Sequence, residues 1–349
     1  MAAGKMHFDR YDYGSFMVMF FYAVCSMAVP MMLYPMALDL HFPLQDGGKG
    51  MGGFLQLGRS IPMVVAMMFC GYAAGRIGKA KTIGFSVLVM GFGIFLCACS
   101  PFYGFVFLAL MVSGLGEGMI EGLATPFVQD LHPKEPGRYI NFTHSFWSIG
   151  VVSAVLIAGG LLTAGVSWRI IAVTAGICAL VPAVIFLSPD RKKRLPETVH
   201  LDVKGVLRQM ADVVKVPRFW LFFCAMFFAG GGEYCLTFWV ASFIRLDYPD
   251  ASMFEAGIGT AVFAGGMIGG RMLPGLFLTQ KHLKHLVVCT GFAAAVLSIF
   301  FPMIHYLNVL FIMLFLIGLA TGPFWPSIQS YCIDRVEGDM TTIFVLLSC

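Results

Sequence analysis

Apolar residues along this chain fall into long runs, and most runs come close to the roughly 20 residues that an α-helix needs to cross a hydrocarbon core. Such runs occupy 14–38, 52–74, 82–99, 102–128, 140–164, 168–187, 219–244, 254–278, 283–302 and 307–332, which predicts ten full membrane-spanning helices. A last apolar segment, 341–349, has nine residues. At about 1.5 Å per residue that is about 13 Å of helix, too short to cross, and it reads as the start of a truncated eleventh. The natural chain is expected to continue for two further helices of about 20 residues each.

One long polar connection interrupts the pattern. It divides the chain into an N-terminal bundle of six helices at 1–187, a linker at 188–218, and an incomplete C-terminal bundle at 219–349. Within the linker, Val203, Val206, Leu207, Met210, Val213 and Val214 recur at helical spacing, with Lys204, Arg208, Asp212 and Lys215 on the other side. Two readings fit: an amphipathic helix lying along the cytoplasmic face, or an ordinary interdomain connection. A faint repeat crosses the divide. GYAAGRIGKAK at 71–81 is echoed by GLFLTQKHLKH at 275–285, and ATPF at 124–127 by TGPF at 321–324. Two six-helix repeats about an axis along the membrane normal produce such a pattern.

Composition agrees with the runs. Of 349 residues, 58% are hydrophobic and 12% charged, against about 25% charged in a soluble domain, which excludes a soluble enzyme. Forty glycines let helices approach closely in a membrane. The net charge of +4 lies in loops, so no nucleic-acid partner is expected. With the N-terminus inside, 18 Lys and Arg fall in cytoplasmic segments and only Lys49, Arg169 and Arg245 outside, as the positive-inside rule requires of a plasma-membrane protein. The ten cysteines lack regular metal-ligand spacing and read as small buried apolar residues. No nucleotide-binding loop, zinc-protease motif or serine-nucleophile elbow occurs, so no cofactor and no enzyme activity are expected.

Ionisable groups inside the runs are the candidate chemistry. Glu117 and Glu121 share one helix face within 102–128, where a carboxylate costs roughly 3 kcal/mol even on lenient scales. They read as lining a solute or proton pathway, or as a hydrogen-bonded pair between helices; two carboxyls this close resist joint ionisation. Glu233, in GGGE, is a third acid, for the pathway or for an interhelical bond. Arg59 and Arg271 are the basic side chains within runs. Arg271 reads as neutralising an acid or binding an anion, and Arg59 as snorkelling to the outer mouth or joining the site. Trp147, Trp239 and Trp325 offer flat faces and indole N–H groups to a sugar ring, or anchor at the interface. Pro30, Pro62, Pro126, Pro182, Pro274, Pro323 and Pro326 are expected to kink helices.

Six helices, a basic linker and a second set, with Gly71, Arg76, Gly78, Lys79 and Lys81 after the second helix, resemble the major facilitator superfamily and its gating loop. The family's acid in that loop is replaced by Gly75. The run Glu121, Pro126, Phe127, Val128, then Asn141, His144, Phe146 and Gly150, together with GGGEYCLTFW at 230–239 and GLATGPFWPSI at 318–328, is similar to the fucose and glucose/galactose symporter branch. The stretch 22–32 carries no acid where that branch has one. The resemblance implies an all-α, two-bundle membrane fold working by alternating access, with the substrate near the midplane. Taken with the residues' own chemistry, the candidate site takes in Glu121, Glu117, Glu233, Asn141, His144, Trp147, Trp239, Arg271 and Trp325, of which Glu117 has no support from the resemblance. The expected activity is secondary transport of a small polar solute of the sugar class by a monomer in the lipid bilayer, coupled to protons or sodium through Glu121 or Glu233. Efflux of amphipathic organic compounds, and a receptor that binds without transport, are the rival expectations.

Overall fold

The computed structural model describes residues 6–43, 49–188, 202–248 and 250–349, and among these all regular structure is helical. The first five runs become α1 (Arg10–Asp39), α2 (Lys49–Ile77), α3 (Lys79–Ala98), α4 (Tyr103–Leu131) and α5 (Pro136–Thr163). The sixth is split into α6 (Trp168–Cys178) and α7 (Val181–Leu187). After the linker helix α8 (Val203–Val214) come α9 (Pro217–Asp247), α10 (Met253–Phe277) and α11 (Leu283–Phe300). The tenth run is split into α12 (Leu307–Thr321) and α13 (Phe324–Ile333), and the chain closes with α14 (Met340–Ser348).

Nine described stretches are long and apolar enough to cross a membrane. The sequence predicts ten, and the difference is α10, a continuous helix of 25 residues whose glycines and Arg271 lower its mean hydropathy. The count of ten plus a partial eleventh is therefore not confirmed. Proline acts more selectively than expected. Pro30, Pro35, Pro62, Pro126 and Pro274 lie inside unbroken helices. Breaks occur only ahead of Pro182 and at Pro323, where the missing N–H ends the hydrogen-bond ladder.

Local chemistry sets the helix ends. The Asp9 carboxylate accepts from the Tyr11 and Asp12 N–H groups while Asp12 reaches back to the Asp9 N–H, a reciprocal cap that starts α1. Ser252 and Glu255 do the same for α10. Asp202 and Asp339 cap α8 and α14 through the Gly205 and Thr342 N–H groups. Gly78, at φ +88°, allows the tight reversal from α2 to α3.

Backbone contact holds α2 to α4. A methyl group at Gly114 or Gly118 would fall on the carbonyl oxygen of Arg59 or Met63, and at Gly318 of α12 on that of Phe263 in α10. Longer-range packing is carried by α5, which lies against α1 and α10, and by α14, which lies against α2, α4 and α9. At one end of the bundle, which we call the linker end, α8 buries Val206, Met210 and Val213 against α2, α9 and α14. Val203 and Leu207 are exposed, so the buried stripe is narrower than predicted. Residues 189–201 of the predicted connection lie outside the described residues. At the opposite end Arg169 pairs with Asp39 at 2.8 Å and donates to the Ala98 and Ser100 carbonyls at 2.7 Å.

Candidate functional site

A cavity of about 70 Å³, room for a few water molecules, opens where α1, α2, α4, α5, α9, α10, α13 and α14 converge. Its walls are Met19, Tyr22, Met63, Glu121, His144, Trp147, Glu233, Tyr234, Arg271, Trp325 and Ser348. Six sequence-chosen residues meet here: Glu121, Glu233, His144, Trp147, Arg271 and Trp325.

Arg271 is fully engaged. Its Nη2 donates to both oxygens of Glu233 at 2.8 and 2.9 Å, its Nε to the Gly322 carbonyl at 2.8 Å, and its Nη1 to Ser148 Oγ at 3.0 Å and the His144 carbonyl at 3.4 Å. The Trp147 ring lies 5.5 Å from its carbon centre. The helical donor to the Gly322 carbonyl would be residue 326, and Pro326 has no N–H, which leaves that carbonyl free to accept from Arg271. A bidentate, nearly dry pair of this kind matches one charge with one charge.

Glu121 is different. It is 8% exposed, and among the described residues no Lys, Arg or His forms an ion pair with it. Its carboxyl lines the same cavity as Tyr22 and Trp325. The cavity therefore contains two carboxyls and one guanidinium, one carboxyl in excess. His144, also buried, bonds through Nε2 to Thr125 Oγ1 at 2.9 Å.

Three predicted site residues lie elsewhere. Glu117 is a full turn away from the cavity and wholly buried against Arg59, whose Nε and Nη2 lie 2.9 and 2.8 Å from its Oε2. Ser113 Oγ donates to Oε1 at 2.8 Å, and Arg59 also bonds the Ser26 carbonyl and hydroxyl. Arg59 is 3% exposed, so it does not snorkel; a carboxylate within reach compensates its charge where it is. Asn141 sits nearer the linker end and bridges helices, donating to the Gly137 carbonyl at 2.8 Å and Ser327 Oγ at 3.2 Å. Trp239 is 53% exposed and faces away from the cavity walls.

The predicted gating loop is dispersed. Lys79 pairs with Asp130 at 2.7 Å, Arg76 lies over the Tyr72 ring, Gly78 makes the turn, Gly71 has open space around it, and Lys81 is exposed. At this end α5 makes links to residues of the second half of the chain. The Gly137 N–H donates to Gln280 Oε1 at 3.1 Å, and Arg138 donates to the Gly275 and Leu276 carbonyls at 3.2 and 3.3 Å. The cysteines also divide: Cys25, Cys70, Cys97 and Cys332 are buried, whereas Cys99, Cys224, Cys235, Cys289 and Cys349 are exposed.

Sequence reasoning missed Tyr22, Tyr234 and Ser148. A signal existed for each. Tyr22 and Tyr234 are hydroxyl-bearing rings deep inside apolar runs, one of them next to Glu233, and Ser148 follows His144 by one helical turn.

The profile of the Major Facilitator Superfamily matches residues 14–349, and the chain belongs to that family of multi-pass membrane transporters; it is not an enzyme. Over 192 residues it is 28% identical to synaptic vesicle glycoprotein 2C of Rattus norvegicus, a match covering 50% of this chain and 25% of that protein. Over 157 residues it is 26% identical to the niacin transporter NiaP of Acinetobacter baylyi, covering 44% of this chain and 34% of the transporter. The matches thus take in only a quarter to a third of these relatives. Among solved structures, FucP of E. coli in its outward conformation superposes with a TM-score of 0.77 at 16% identity, covering 97% of this chain and 88% of FucP. The proton:xylose symporter XylE gives 0.74 at 13% identity, covering 97% and 85%. At these identities the likeness establishes the fold.

Proposed function

We propose that this chain is a secondary transporter that moves a small polar solute of the sugar class by alternating access, with Glu121 as the group that loads and releases a coupling proton. The observation that carries the reading is the excess carboxyl. A buried carboxylate without a cation is costly in a low-dielectric site, so Glu121 is neutralised by a proton or a small cation during the cycle. Glu121 lines the same small cavity as Tyr22 and Trp325, so a solute bound there and the charge on the acid act on each other. Trp147 and Trp325 supply flat faces for a sugar ring, and the structural neighbours FucP and XylE are sugar symporters.

In this reading 1–187 and 219–349 rock against each other, tethered by 188–218, and the linker end is the cytoplasmic end because the basic residues collect there. The links made by Gly137, Arg138 and Asn141 hold that end shut, which makes this conformer the one closed to the cytoplasm. A second reading, efflux of amphipathic compounds, is favoured by Met19 and Met63 beside the aromatic walls.

Uptake of labelled sugars into proteoliposomes, with and without a pH gradient, tests the proposal. Glu121→Gln is expected to abolish accumulation driven by the gradient while leaving exchange of solute across the membrane. Gradient-driven accumulation that survives Glu121→Gln refutes the coupling role, and lipophilic cations outcompeting every sugar favours efflux.

A further inference from the structure

An arginine in the central cavity of a membrane transporter invites reading as an anchor for an anionic solute. The contacts of Arg271 argue otherwise. Its Nη2 is committed to both Glu233 oxygens, and Nε and Nη1 are held by Gly322, Ser148 and His144. An incoming carboxylate meets no unmatched positive charge, and it meets Glu121 across the same cavity. We infer that Glu233 is a specificity-determining residue: by occupying Arg271 it closes the cavity to carboxylate solutes and leaves it open to neutral and monocationic ones.

The inference rests on the cavity's being the solute site, and it adds which charge class the site accepts. The electrostatics follow from the inventory of groups. With Glu233 in place, a bound monocarboxylate would raise the cavity to three acids against one guanidinium. Without its charge, Arg271 keeps its Gly322 and Ser148 bonds but presents Nη2 to the cavity, and a carboxylate can accept from that nitrogen with both oxygens as Glu233 does. Glu233 acts through Arg271 and is a positioning residue. Two of the cavity's aromatic walls, Trp147 and Trp325, are the same in both chains, so a change in the order of the probes reads charge.

Three probes of one shape separate charge from fit: benzoate, benzamide and benzamidine. Their equilibrium binding to the purified full chain in detergent is measured without any need for flux, so failure of the transport reading and failure of this inference are told apart. The wild-type chain is expected to bind benzamide and benzamidine more tightly than benzoate by on the order of tenfold to a hundredfold, since a like charge placed against an interface costs this much or more. Glu233→Gln should reverse the order in favour of benzoate. Glu233→Asp, which restores the charge, should return the wild-type order, and Glu233→Gln/Arg271→Gln should lose the gain for benzoate. A purely structural Glu233 would change the three affinities together. Wild-type binding of benzoate as tight as benzamide overturns the inference, as does a folded Glu233→Gln chain whose order is unchanged or that binds no benzoate. Should Glu233→Gln fail to fold, the wild-type and Glu233→Asp orders decide.

Discussion

Replacing Glu117 by Gln tests whether the first acid of the helix α4 pair is a structural counter-charge. Its carboxylate receives Arg59 Nε and Nη2 on one oxygen and Ser113 Oγ on the other, with neither Glu117 nor Arg59 in contact with solvent to any useful extent. The amide removes the negative charge, keeps one acceptor, and turns an N–H₂ group toward donors. Arg59 is then a buried cation held only by the Ser26 carbonyl and hydroxyl. Breaking a buried pair on one side costs about 3–5 kcal/mol, whereas replacing both partners by apolar groups of similar volume is near neutral. The single change should therefore shift the unfolding equilibrium by roughly two to nearly four powers of ten, and Arg59→Met/Glu117→Met should recover most of that loss. Unfolding in mixed micelles, followed by tryptophan fluorescence against denaturant, reads both. The double variant should also transport, because neither residue lines the cavity. A single variant costing less than about 1 kcal/mol, within the range of exposed pairs, would refute the reasoning, and so would a double variant that folds but carries no solute.

Trp325→Ala should weaken solute binding by roughly 5- to 150-fold, given about 1–3 kcal/mol for an aromatic platform, while Trp239→Ala should leave it within a factor of two; isothermal titration or competition binding separates them. Arg138→Ala removes two bonds to the α10 carbonyls, about 2 kcal/mol in all, and should raise the population open at the linker end by roughly 30-fold, seen as a longer distance between spin labels on the facing ends of α5 and α10. Met210→Ala should cost about 2 kcal/mol or more and appear as faster hydrogen exchange across 203–214, with the helices around the cavity unchanged.

The extents of the helices were legible because a span of the hydrocarbon core needs a long apolar run whatever its neighbours. The run 14–38 became Arg10–Asp39, and 140–164 became Pro136–Thr163. Helix adjacency was not legible, and adjacency decides what a buried charge does. Glu117 and Glu121 are separated by four residues, about 40° around the axis and 6 Å along it. That offset is enough to hand one to Arg59 on α2 and the other to the cavity. Arg59 is 58 residues from its partner and Arg271 is 38 from Glu233, so composition and spacing alone could name the charged groups without pairing them. Trp239 and Trp325 have equal claims as residues in apolar runs, and only rotation about their helices separates an exposed ring from a cavity wall. Spacing likewise did not separate Pro182 and Pro323, where the helices break, from Pro62 and Pro126, which lie inside unbroken ones.

The close glycine contacts of α4 with α2 and α3, and of α5 with α1, have a consequence for any survey of variants. Gly114, Gly116, Gly118 and Gly150 each lie where a side chain would strike a neighbouring backbone oxygen, whereas Gly71, Gly231, Gly232 and Gly265 have nothing within 4 Å. In a screen scored by growth or uptake, both groups present as single-residue losses or silences. The first group will register as absent protein, since the helices cannot separate by the width of a methyl group without uncoupling the pairs. Abundance measured beside uptake is therefore needed at those positions before any of them is counted as part of the translocation route.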